Sequence, residues 1–326
     1  MKKQRNSDAR RVVILDADSL GRDLEISRFG ELGELTVYRT TTPENAAEHL
    51  AGAEIAILNK VRLTGTILAA APDLCLILEA ATGYDNIDLV YCREHGIAVC
   101  NVIGYSTQCV AQLTATLALA LTTHLREYSD YVADGSYTAS GQPNLLEPVY
   151  HELFGKTWGI VGYGNIGRQV GRIAQAFGCR VLVNKRTPTA DAECVSLECL
   201  CRESDIISIH TPLNDTTRNL IDRDRIGMMK RGAILINVAR GAVTDEAALA
   251  DAITEGRLGG LGVDVYAQEP FPKDHPYQKI RTYPNVLFTP HIAWGGYETR
   301  VRLMEEMLEN ARAFDAGKIR NRVDLL

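Results

Sequence analysis

A glycine-rich turn at residues 162–167 is the feature that most constrains how this chain can fold. Its sequence, Gly-Tyr-Gly-Asn-Ile-Gly, follows an apolar run at residues 160–161 and opens a segment with helical periodicity. Between a strand and a helix, Gly162 permits a tight turn, Gly164 lets the backbone approach a pyrophosphate, and Gly167 lets helix and strand pack closely. N–H groups at such a helix start attract an anion, so the turn predicts a dinucleotide-binding βαβ unit. The residues predicted to contact the cofactor here are Gly162, Gly164, Asn165, Ile166 and Gly167.

Short apolar runs alternate with helix-like segments along the chain, which predicts an α/β fold with parallel sheets. One series of runs precedes the turn, and a second begins at residue 157. Six strands in the second series match a full doubly wound Rossmann sheet. The predicted strands are residues 12–15, 35–37, 55–58, 74–78 and 97–100 in the first series, and residues 157–161, 180–184, 206–210, 233–237, 260–265 and 286–289 in the second.

Helices and linking segments set the predicted domain boundaries. A chain of 326 residues is expected to form two domains. A long apolar helix at 107–125 leads out of the first series, and residues 134–148, rich in Gly, Ser, Pro and Asn, form a loop or an arm. Thr42-Pro43 is expected to open a helix. A last helix at about 298–316 follows the sixth strand, so we expect the chain to return to the first domain. The predicted domains are residues 1–103 with 296–326, and residues 104–295; two further predicted helices are 166–177 and 245–255.

Composition and charge exclude several classes of partner. The formal net charge of -6 and the pI near 5.7 give no basic field for nucleic acid, and the basic residues 1–11 are interpreted as a solvated tail without function. No apolar run reaches the roughly 18 residues of a membrane span, and no signal peptide is evident, so we expect a cytoplasmic protein without a membrane partner. The eight cysteines lack paired CxxC spacing, and Cys199 with Cys201 is too weak a pattern to predict a metal site.

The end of the second strand of the predicted cofactor domain bears on the choice between NAD and NADP. An NAD site usually places an acidic residue there, which bonds the ribose 2′-hydroxyl. This chain instead has Asn184, Lys185, Arg186 and Thr187, which offer two cations and two hydrogen-bonding side chains. These groups would accept a 2′-phosphate, so NADP(H) is favoured. NAD remains the alternative if both cations are solvated surface charges.

Three charged or titratable residues stand at strand ends of the second series, where a doubly wound sheet binds its ligands. They are Arg240, Glu269 and His291. Reduction of a 2-keto acid requires a hydride on carbon, a proton on oxygen and a cation for the carboxylate. Arg240 can supply the cation, His291 can donate the proton and accept it in reverse, and Glu269 can orient the imidazole. Each residue alone also has a structural interpretation, so the prediction depends on the set.

Four motifs extend this interpretation over essentially the whole chain. In order they are GYGNIG, NVARG, VDVYAQEP and TPHIAW. In this order the chain resembles the D-isomer-specific 2-hydroxyacid dehydrogenase family. The resemblance implies a flavodoxin-like, discontinuous substrate domain beside a Rossmann domain, the catalytic set above, and a homodimer built through the Rossmann domains and the long helix. Lys185 departs from the commonest family pattern, which has an acidic residue there.

The resemblance also implies further contacts with the cofactor and the substrate. The implied cofactor contacts, in addition to those of the turn and of the residues after the second strand, are Thr107, His210, Thr211, Pro212, Thr217, Val238, Ala239, Asp264 and His291. Within the family the chain resembles the glycerate dehydrogenase or hydroxypyruvate reductase branch, on the segments Asn59-Lys60, Ala81 to Asp85 and Tyr105 to Thr107. That branch implies a substrate carboxylate bound at Ala81, Thr82, Gly83 and Arg240, and a substrate hydroxyl bound by Lys60. Lys60 as a solvent-facing lysine is the alternative.

Other functions stay open at this point. Another 2-keto acid is possible as substrate, including 3-phosphohydroxypyruvate, although no second cluster of arginines stands near Lys60 or Thr82 in sequence. A cofactor-sensing binding protein is the alternative from another class, because the resembled family includes corepressors of the same fold. The chain ends a few residues after its last predicted helix, and we therefore expect an enzyme.

Overall fold

The computed structural model describes residues 9–326 and contains two parallel sheets with helices. The elements of the first series are β1 (Arg11–Ile14), β2 (Glu34–Val37), α1 (Ala46–Leu50), β3 (Ile55–Leu58), α2 (Gly65–Leu68), β4 (Leu76–Glu79), α3 (Leu89–Glu94) and β5 (Ala98–Cys100), with 3-10 helices at Ala17–Leu20 and Ile26–Leu32.

A second series of elements follows and ends in a long helix. Its elements are α4 (Thr107–Thr122), α5 (Leu125–Ala133), α6 (Ser136–Ser140), β6 (Thr157–Val161), α7 (Asn165–Ala176), β7 (Arg180–Asn184), β8 (Glu193–Cys194), α8 (Leu197–Glu203), β9 (Ile206–Ile209), α9 (Arg223–Met228), β10 (Ala233–Asn237), α10 (Glu246–Thr254), β11 (Leu258–Val263), β12 (Val286–Phe288) and α11 (Tyr297–Asp315), with 3-10 helices at Gly241–Val243 and Pro276–Lys279.

The chain divides into two compact units. One consists of the described residues through Tyr105 together with Gly296–Leu326, and the other of Ser106–Gly295. The first boundary lies two residues beyond the one expected from the sequence, and the second falls at the expected position. The assignment of substrate to the first unit and cofactor to the second remains a prediction.

The first unit contains a five-stranded parallel sheet in the order β2-β1-β3-β4-β5. This is the order of a flavodoxin-like doubly wound sheet, and it confirms the predicted fold class. The strands β3 and β4 are buried along their whole length, as expected for a parallel sheet covered on both faces. Their carboxyl ends bring residues 59–60 and 80–83 to one edge of the sheet.

The second unit contains a seven-stranded parallel sheet in the order β12-β11-β10-β9-β6-β7-β8. Counted from β6, the first six strands have the Rossmann order 3-2-1-4-5-6, and β12 adds a seventh at the edge. The predicted Rossmann fold is therefore confirmed. The order reverses between β6 and β9, which places a crevice beyond the carboxyl ends of these two strands.

Neighbouring side chains along the central strands of the second unit belong to two different cores. Ile160 and Ile236 pack in one cluster with α4 and α7, whereas Val161 and Leu235 pack in another with α8, α9 and α10. Alternate residues of a strand point to opposite faces, so both faces of this sheet are covered.

Three local predictions differ from the structure. The two-residue strand β8 was not predicted, because a run this short carries no periodicity. The predicted helix 107–125 ends at Thr122 instead, since His124 adopts φ 52°, after which α5 begins. Part of the predicted loop 134–148 forms the short helix α6, between Gly135 and Gly141 in left-handed conformations.

Two segments near the N-terminus also differ from expectation. The helix expected at Thr42-Pro43 begins only at Ala46, because the Thr42 N–H donates to Asn45 Oδ1 in a turn. Residues 1–8 of the basic segment lie outside the described residues. The tail interpretation is wrong for Arg10 and Arg11: Arg11 begins β1, and Arg10 donates two hydrogen bonds to Asp315, at 2.6 and 2.7 Å. Among residues 9–326, no helix combines the length and apolarity needed to cross a bilayer.

Candidate active site and cofactor site

The predicted dinucleotide-binding turn lies between β6 and α7, where the sheet order reverses. Gly162 has φ 92°, and a Cβ there would lie 2.7 Å from the carbonyl carbon of His210, so the turn requires glycine. A Cβ at Gly164 would meet nothing within 4 Å, so the space beside that backbone is open. In the described part of the chain, the first three N–H groups of α7 have no backbone or side-chain acceptor. This cradle fits a pyrophosphate.

His210 follows β9 on the other side of the reversal point. Its Nε2 lies 3.0 Å from Ser208 Oγ, which also accepts a 2.9 Å hydrogen bond from Trp158 Nε1. Burial lowers the pKa of His210 to about 3, so its ring is neutral. Because Ser208 accepts from Trp158, its hydroxyl can donate to Nε2, which leaves the imidazole proton on Nδ1. The buried Nδ1 has no partner among residues 9–326, so a donor is available here for a cofactor oxygen.

The other residues implied around this turn lie at the starts of loops or helices of the second unit. Thr211 and Pro212 follow His210 in a turn that the Thr217 hydroxyl closes. That hydroxyl donates to the Pro212 carbonyl at 2.7 Å and accepts from the Asn214 N–H at 2.8 Å. It therefore stabilises the turn, and its predicted cofactor contact stays a prediction. Thr107 is the first residue of α4.

Lys185, Arg186 and Thr187 follow β7 as predicted. Among residues 9–326, neither cation forms an ion pair with a carboxylate. The loop from β7 to β8 carries one acidic residue, Asp191, which pairs with Arg168 of α7. The sequence analysis did not identify Arg168, whose guanidinium also stacks on Tyr163 of the glycine-rich turn, 4.9 Å from the ring centroid.

The turn after β10 is held by the side chain of Asn237. Its Oδ1 accepts the N–H of Ala239, and its Nδ2 donates to the carbonyl of Arg240, both at 3.0 Å. Val238 is buried inside this turn, and Arg240 Nη1 donates to the Ala239 carbonyl at 2.8 Å. Asn237, which sequence reasoning missed, therefore sets the backbone from which Arg240 projects.

Gly241 brings this turn against the loop after β11. A Cβ at Gly241 would collide with the backbone of Tyr266 and Ala267, so no larger residue fits there. The Arg-Gly pair in the sequence thus has a steric cause. The close approach holds the Arg240 turn next to the segment that leads to Glu269.

Glu269 and His291 are brought together, as the sequence predicts. Glu269 lies in the loop after β11 and His291 in the loop after β12, and Glu269 Oε2 is 2.6 Å from His291 Nδ1. The side chains are 30% and 21% exposed, so solvent or a substrate can reach the pair. Glu269 Oε1 accepts the Tyr266 N–H at 3.0 Å, which fixes the carboxylate. His291 has φ 54°, a left-handed backbone conformation that few non-glycine residues adopt.

Asp264 anchors the loop that carries His291. This fully buried carboxylate accepts the Thr289 hydroxyl at 2.5 Å and the N–H groups of Ile292 and Ala293, both at 2.9 Å. Burial raises its pKa, while these hydrogen bonds oppose the rise. The His291 N–H donates to the Asp264 carbonyl at 2.8 Å. Asp264 is therefore placed to position the imidazole, and the cofactor contact implied for it stays a prediction.

The first unit has a run of backbone donors after β4. In the described part of the chain, the N–H groups of Ala81, Thr82 and Gly83 have no acceptor. The Thr82 hydroxyl donates to the Val102 carbonyl at 2.7 Å, and Asn101 Nδ2 donates to the Thr82 carbonyl at the same distance. These two bonds fix the segment while its N–H groups stay available for an anion.

Lys60 follows β3 and is fixed through its backbone. Its N–H donates to Asp16 Oδ2 at 2.6 Å, and the Asn59 N–H donates to Asp16 Oδ1 at 3.0 Å. Sequence reasoning missed Asp16 and also Glu79, a fully buried residue that accepts from Asn86 at 3.2 Å. Burial raises the pKa of Glu79 well above its usual range, while the hydrogen bond from Asn86 opposes the rise.

None of the eight cysteines forms a disulfide, and residues 9–326 contain no group of three or more His, Cys, Asp or Glu side chains that could hold a metal ion.

Comparison with known proteins identifies the family of the chain. Residues 115–293 match the family described as D-isomer specific 2-hydroxyacid dehydrogenase, NAD binding domain. A glycerate dehydrogenase from Methylorubrum extorquens is 39% identical over 316 residues, which are 97% of this chain and 99% of that protein.

Two solved structures share the architecture. The D-lactate dehydrogenase from Aquifex aeolicus, complexed with NAD and lactic acid, has a TM-score of 0.83 at 31% identity, with 94% of this chain and 96% of that chain covered. An acyclic imino acid reductase in complex with NADPH and D-Arg has a TM-score of 0.83 at 30% identity, with 96% and 99% covered. The family match spans more than half of this chain, and the relatives align over nearly its whole length. This chain belongs to the family of D-isomer-specific 2-hydroxyacid dehydrogenases.

Proposed function

We propose that this protein reversibly interconverts a small 2-keto acid and its D-2-hydroxy acid with a nicotinamide dinucleotide, and that hydroxypyruvate or glyoxylate is the keto acid. The observation that carries this proposal is the 2.6 Å contact of Glu269 with His291 at the carboxyl edge of a Rossmann sheet. Similarity to a glycerate dehydrogenase supports the substrate, because D-glycerate is the product of hydroxypyruvate reduction.

In this proposal His291 moves the proton. The nicotinamide, when bound, supplies the hydride that reaches the keto carbon. Because Nδ1 engages Glu269, proton exchange with the substrate falls to Nε2. The imidazolium donates its Nε2 proton to the carbonyl oxygen during reduction, and the neutral ring takes a proton from the hydroxyl during oxidation. The Glu269 carboxylate stabilises the imidazolium and fixes the orientation of the ring.

In this proposal Arg240 and the backbone N–H groups after β4 donate hydrogen bonds to the carboxylate of the substrate. A guanidinium can bind a carboxylate through two parallel hydrogen bonds, and Asn237 fixes the turn from which Arg240 projects. In the first unit, the unaccepted N–H groups of Ala81, Thr82 and Gly83 suit the same kind of anion. Lys60 is assigned to a hydroxyl of the substrate.

The proposal is tested with purified protein, NADPH or NADH, and a panel of keto acids that contains hydroxypyruvate, glyoxylate, pyruvate and 3-phosphohydroxypyruvate. Oxidation of the nicotinamide is followed by absorbance. We expect the highest kcat/KM with hydroxypyruvate or glyoxylate. Highest kcat/KM with the phosphorylated acid would overturn the substrate assignment, and cofactor binding without turnover of any acid would favour a sensor.

For the cofactor we propose a preference for NADP(H). The support is that β7 ends in Asn184 instead of an acidic residue, and that Lys185 and Arg186 follow without an ion pair in residues 9–326. The nearby carboxylate of Asp191 is already paired with Arg168, which weakens its repulsion of a 2′-phosphate.

Replacing Lys185 by Asp and Arg186 by Ala tests this preference. We expect the ratio of kcat/KM for NADPH over NADH to fall about ten- to hundredfold, since charge-assisted hydrogen bonds contribute about 1.5–3 kcal/mol. Arg202→Ala, an exposed cation on α8, is the matched control. A wild type that already prefers NADH would show that the cations at 185 and 186 do not bind a phosphate.

We also propose that a second copy of the chain pairs through the segment after α4. Leu146, Val149 and Phe154 are 72%, 67% and 77% exposed, and α5 buries no side chain. Apolar side chains that are this exposed and this close in sequence are typical of an interaction surface. Sedimentation equilibrium is expected to give a dimer, and Leu146→Asp with Phe154→Asp is expected to give a monomer. A monomeric wild type would contradict the proposal.

A further inference from the structure

The second unit contains another carboxylate and imidazole in direct contact. Glu246, the first residue of α10, has its Oε2 2.9 Å from His275 Nε2. Their side chains are 11% and 7% exposed, so water hardly reaches this contact. Neither residue belongs to the predicted site.

The hydrogen bonds of His275 determine which nitrogen of its ring carries the proton. Its Nδ1 accepts the Tyr277 N–H at 3.2 Å, so Nδ1 is unprotonated and the ring proton sits on Nε2. His275 is therefore a neutral donor to Glu246. The second oxygen of Glu246 accepts the Ala267 N–H at 3.0 Å. Both partners of Glu246 are donors, and a carboxylate offers each of them its own acceptor oxygen.

These two contacts bracket Glu269 in the chain. Ala267 and His275 lie on either side of it in the loop after β11, and Glu246 binds both ends from a different element. Ala267 adjoins Tyr266, whose N–H holds Glu269 Oε1. The position of the Glu269 carboxylate is thus coupled through two residues of backbone to Glu246.

Aromatic side chains also pack against one another within the loop after β11. The centroid of the Phe271 ring lies 4.8 Å from that of the Tyr266 ring and 4.9 Å from that of the His275 ring. The Tyr266 hydroxyl donates to the Thr289 carbonyl at 2.9 Å, in the loop that carries His291. The loop of Glu269 is therefore tied to α10 on one side and to the His291 loop on the other.

We propose that Glu246 and His275 are positioning residues for the catalytic Glu269. Their contact holds the loop after β11 so that the Glu269 carboxylate meets His291 Nδ1, although neither residue touches the substrate. This inference rests on the proposed function for the role of Glu269 and adds two residues to the machinery of that site.

Two conservative variants separate positioning from folding. Glu246→Gln keeps size and shape but turns one acceptor into a donor, so the amide faces either the Ala267 N–H or the His275 Nε2–H unfavourably. His275→Asn can still accept the Tyr277 N–H, since asparagine is a good helix cap, but it cannot reach Glu246. Glu255→Gln, at the exposed C-terminal end of α10, is the matched control.

We expect turnover of the keto acid to fall about ten- to hundredfold in both variants, because small misplacements of a catalytic group cost about that much. The high-pH limb of reduction should move to lower pH, as expected when the imidazolium loses its carboxylate. Cofactor affinity, measured by quenching of tryptophan fluorescence, should stay within about twofold of wild type, since the displaced loop does not include the glycine-rich turn. Glu255→Gln should behave as wild type.

The decisive measurement repeats both substitutions in a Glu269→Gln background. If Glu246 acts through Glu269, the second substitution adds less than about twofold to the loss, because residues that act as a unit are non-additive. Full additivity, or wild-type turnover in folded Glu246→Gln, would overturn the proposal.

A readout without substrate distinguishes failure of this inference from failure of the proposed function. The Nδ1 proton of His291 is observed by NMR in protein labelled with ¹⁵N-histidine. Its resonance should move in Glu246→Gln and in Glu269→Gln, and stay in place in Glu255→Gln. An unmoved resonance in Glu246→Gln overturns the positioning role even if no keto acid of the panel is reduced.

Discussion

Two of the glutamate–histidine pairs of the second unit differ in what surrounds them. Glu269 and His291 lie 2.6 Å apart with side chains 30% and 21% exposed, whereas Glu246 and His275 lie 2.9 Å apart with side chains 11% and 7% exposed. The chemical groups are the same. The difference in burial, together with the second hydrogen bond of the His275 ring, decides which pair can exchange protons.

Both ring nitrogens of His275 are committed to the protein. One donates to Glu246 and the other accepts the Tyr277 N–H, so no proton can be gained or lost without breaking a buried bond. His291 meets Glu269 through Nδ1 and adopts a left-handed backbone conformation. A buried pair therefore stabilises a loop, while an accessible pair of the same groups can carry acid–base chemistry.

Removing the accessible imidazole gives the largest expected effect. His291→Ala should lower turnover about 100- to 10,000-fold, the usual contribution of a general acid–base group. The affinity for the dinucleotide and the free energy of unfolding should hardly change, because the side chain is partly exposed. Stopped-flow absorbance measures turnover, fluorescence titration measures the affinity for the dinucleotide, and urea unfolding measures the free energy of unfolding. Unchanged turnover would remove His291 from the mechanism.

Removing the carboxylate of each pair contrasts their contributions to stability. Glu246→Ala should lower the free energy of unfolding of the second unit by about 1.5–3 kcal/mol, since it leaves the buried His275 donor without its charged acceptor. Glu269→Ala should cost less than about 1 kcal/mol, as for exposed ion pairs.

Urea unfolding followed by tryptophan fluorescence reports on this unit, because both tryptophans of the chain, Trp158 and Trp294, lie in it. Equal losses in the two variants would show that the difference in burial between the pairs does not govern their stability.

The sequence predicts the accessible pair because the patterns that indicate it lie within a few residues of Glu269 and of His291. Strand ends can be recognised from apolar runs, and the carboxyl ends of parallel strands meet at one edge, so Glu269 and His291 were expected together. The glycine-rich turn was recognised for the same reason: the steric needs of Gly162 follow from a strand-turn-helix pattern within a few residues.

The buried pair could not be predicted, for a physical reason. Glu246 follows the N-cap Asp245 and looks like an ordinary acid in the first turn of a helix, where it complements the helix dipole. His275 is 29 residues further on, and only the packing of the loop after β11 onto α10 joins the two. The tautomer of His210 is equally hidden, since it depends on Ser208 and on Trp158 from another strand.

The smallest expected effect concerns the pH dependence of the accessible pair. Glu269→Gln keeps the shape of the side chain but removes the negative charge next to His291 Nδ1. Reduction of the keto acid requires the imidazolium, and without the carboxylate this form persists only to lower pH. The high-pH limb of kcat/KM for reduction should therefore move to lower pH, because a nearby negative charge favours the charged form of the ring. Oxidation of the hydroxy acid requires the neutral ring, so its low-pH limb should move in the same direction and by a similar amount. Profiles in both directions, measured at constant ionic strength, test this sign. Limbs that stay in place, or that move to higher pH, would show that the carboxylate 2.6 Å from the ring does not control its protonation.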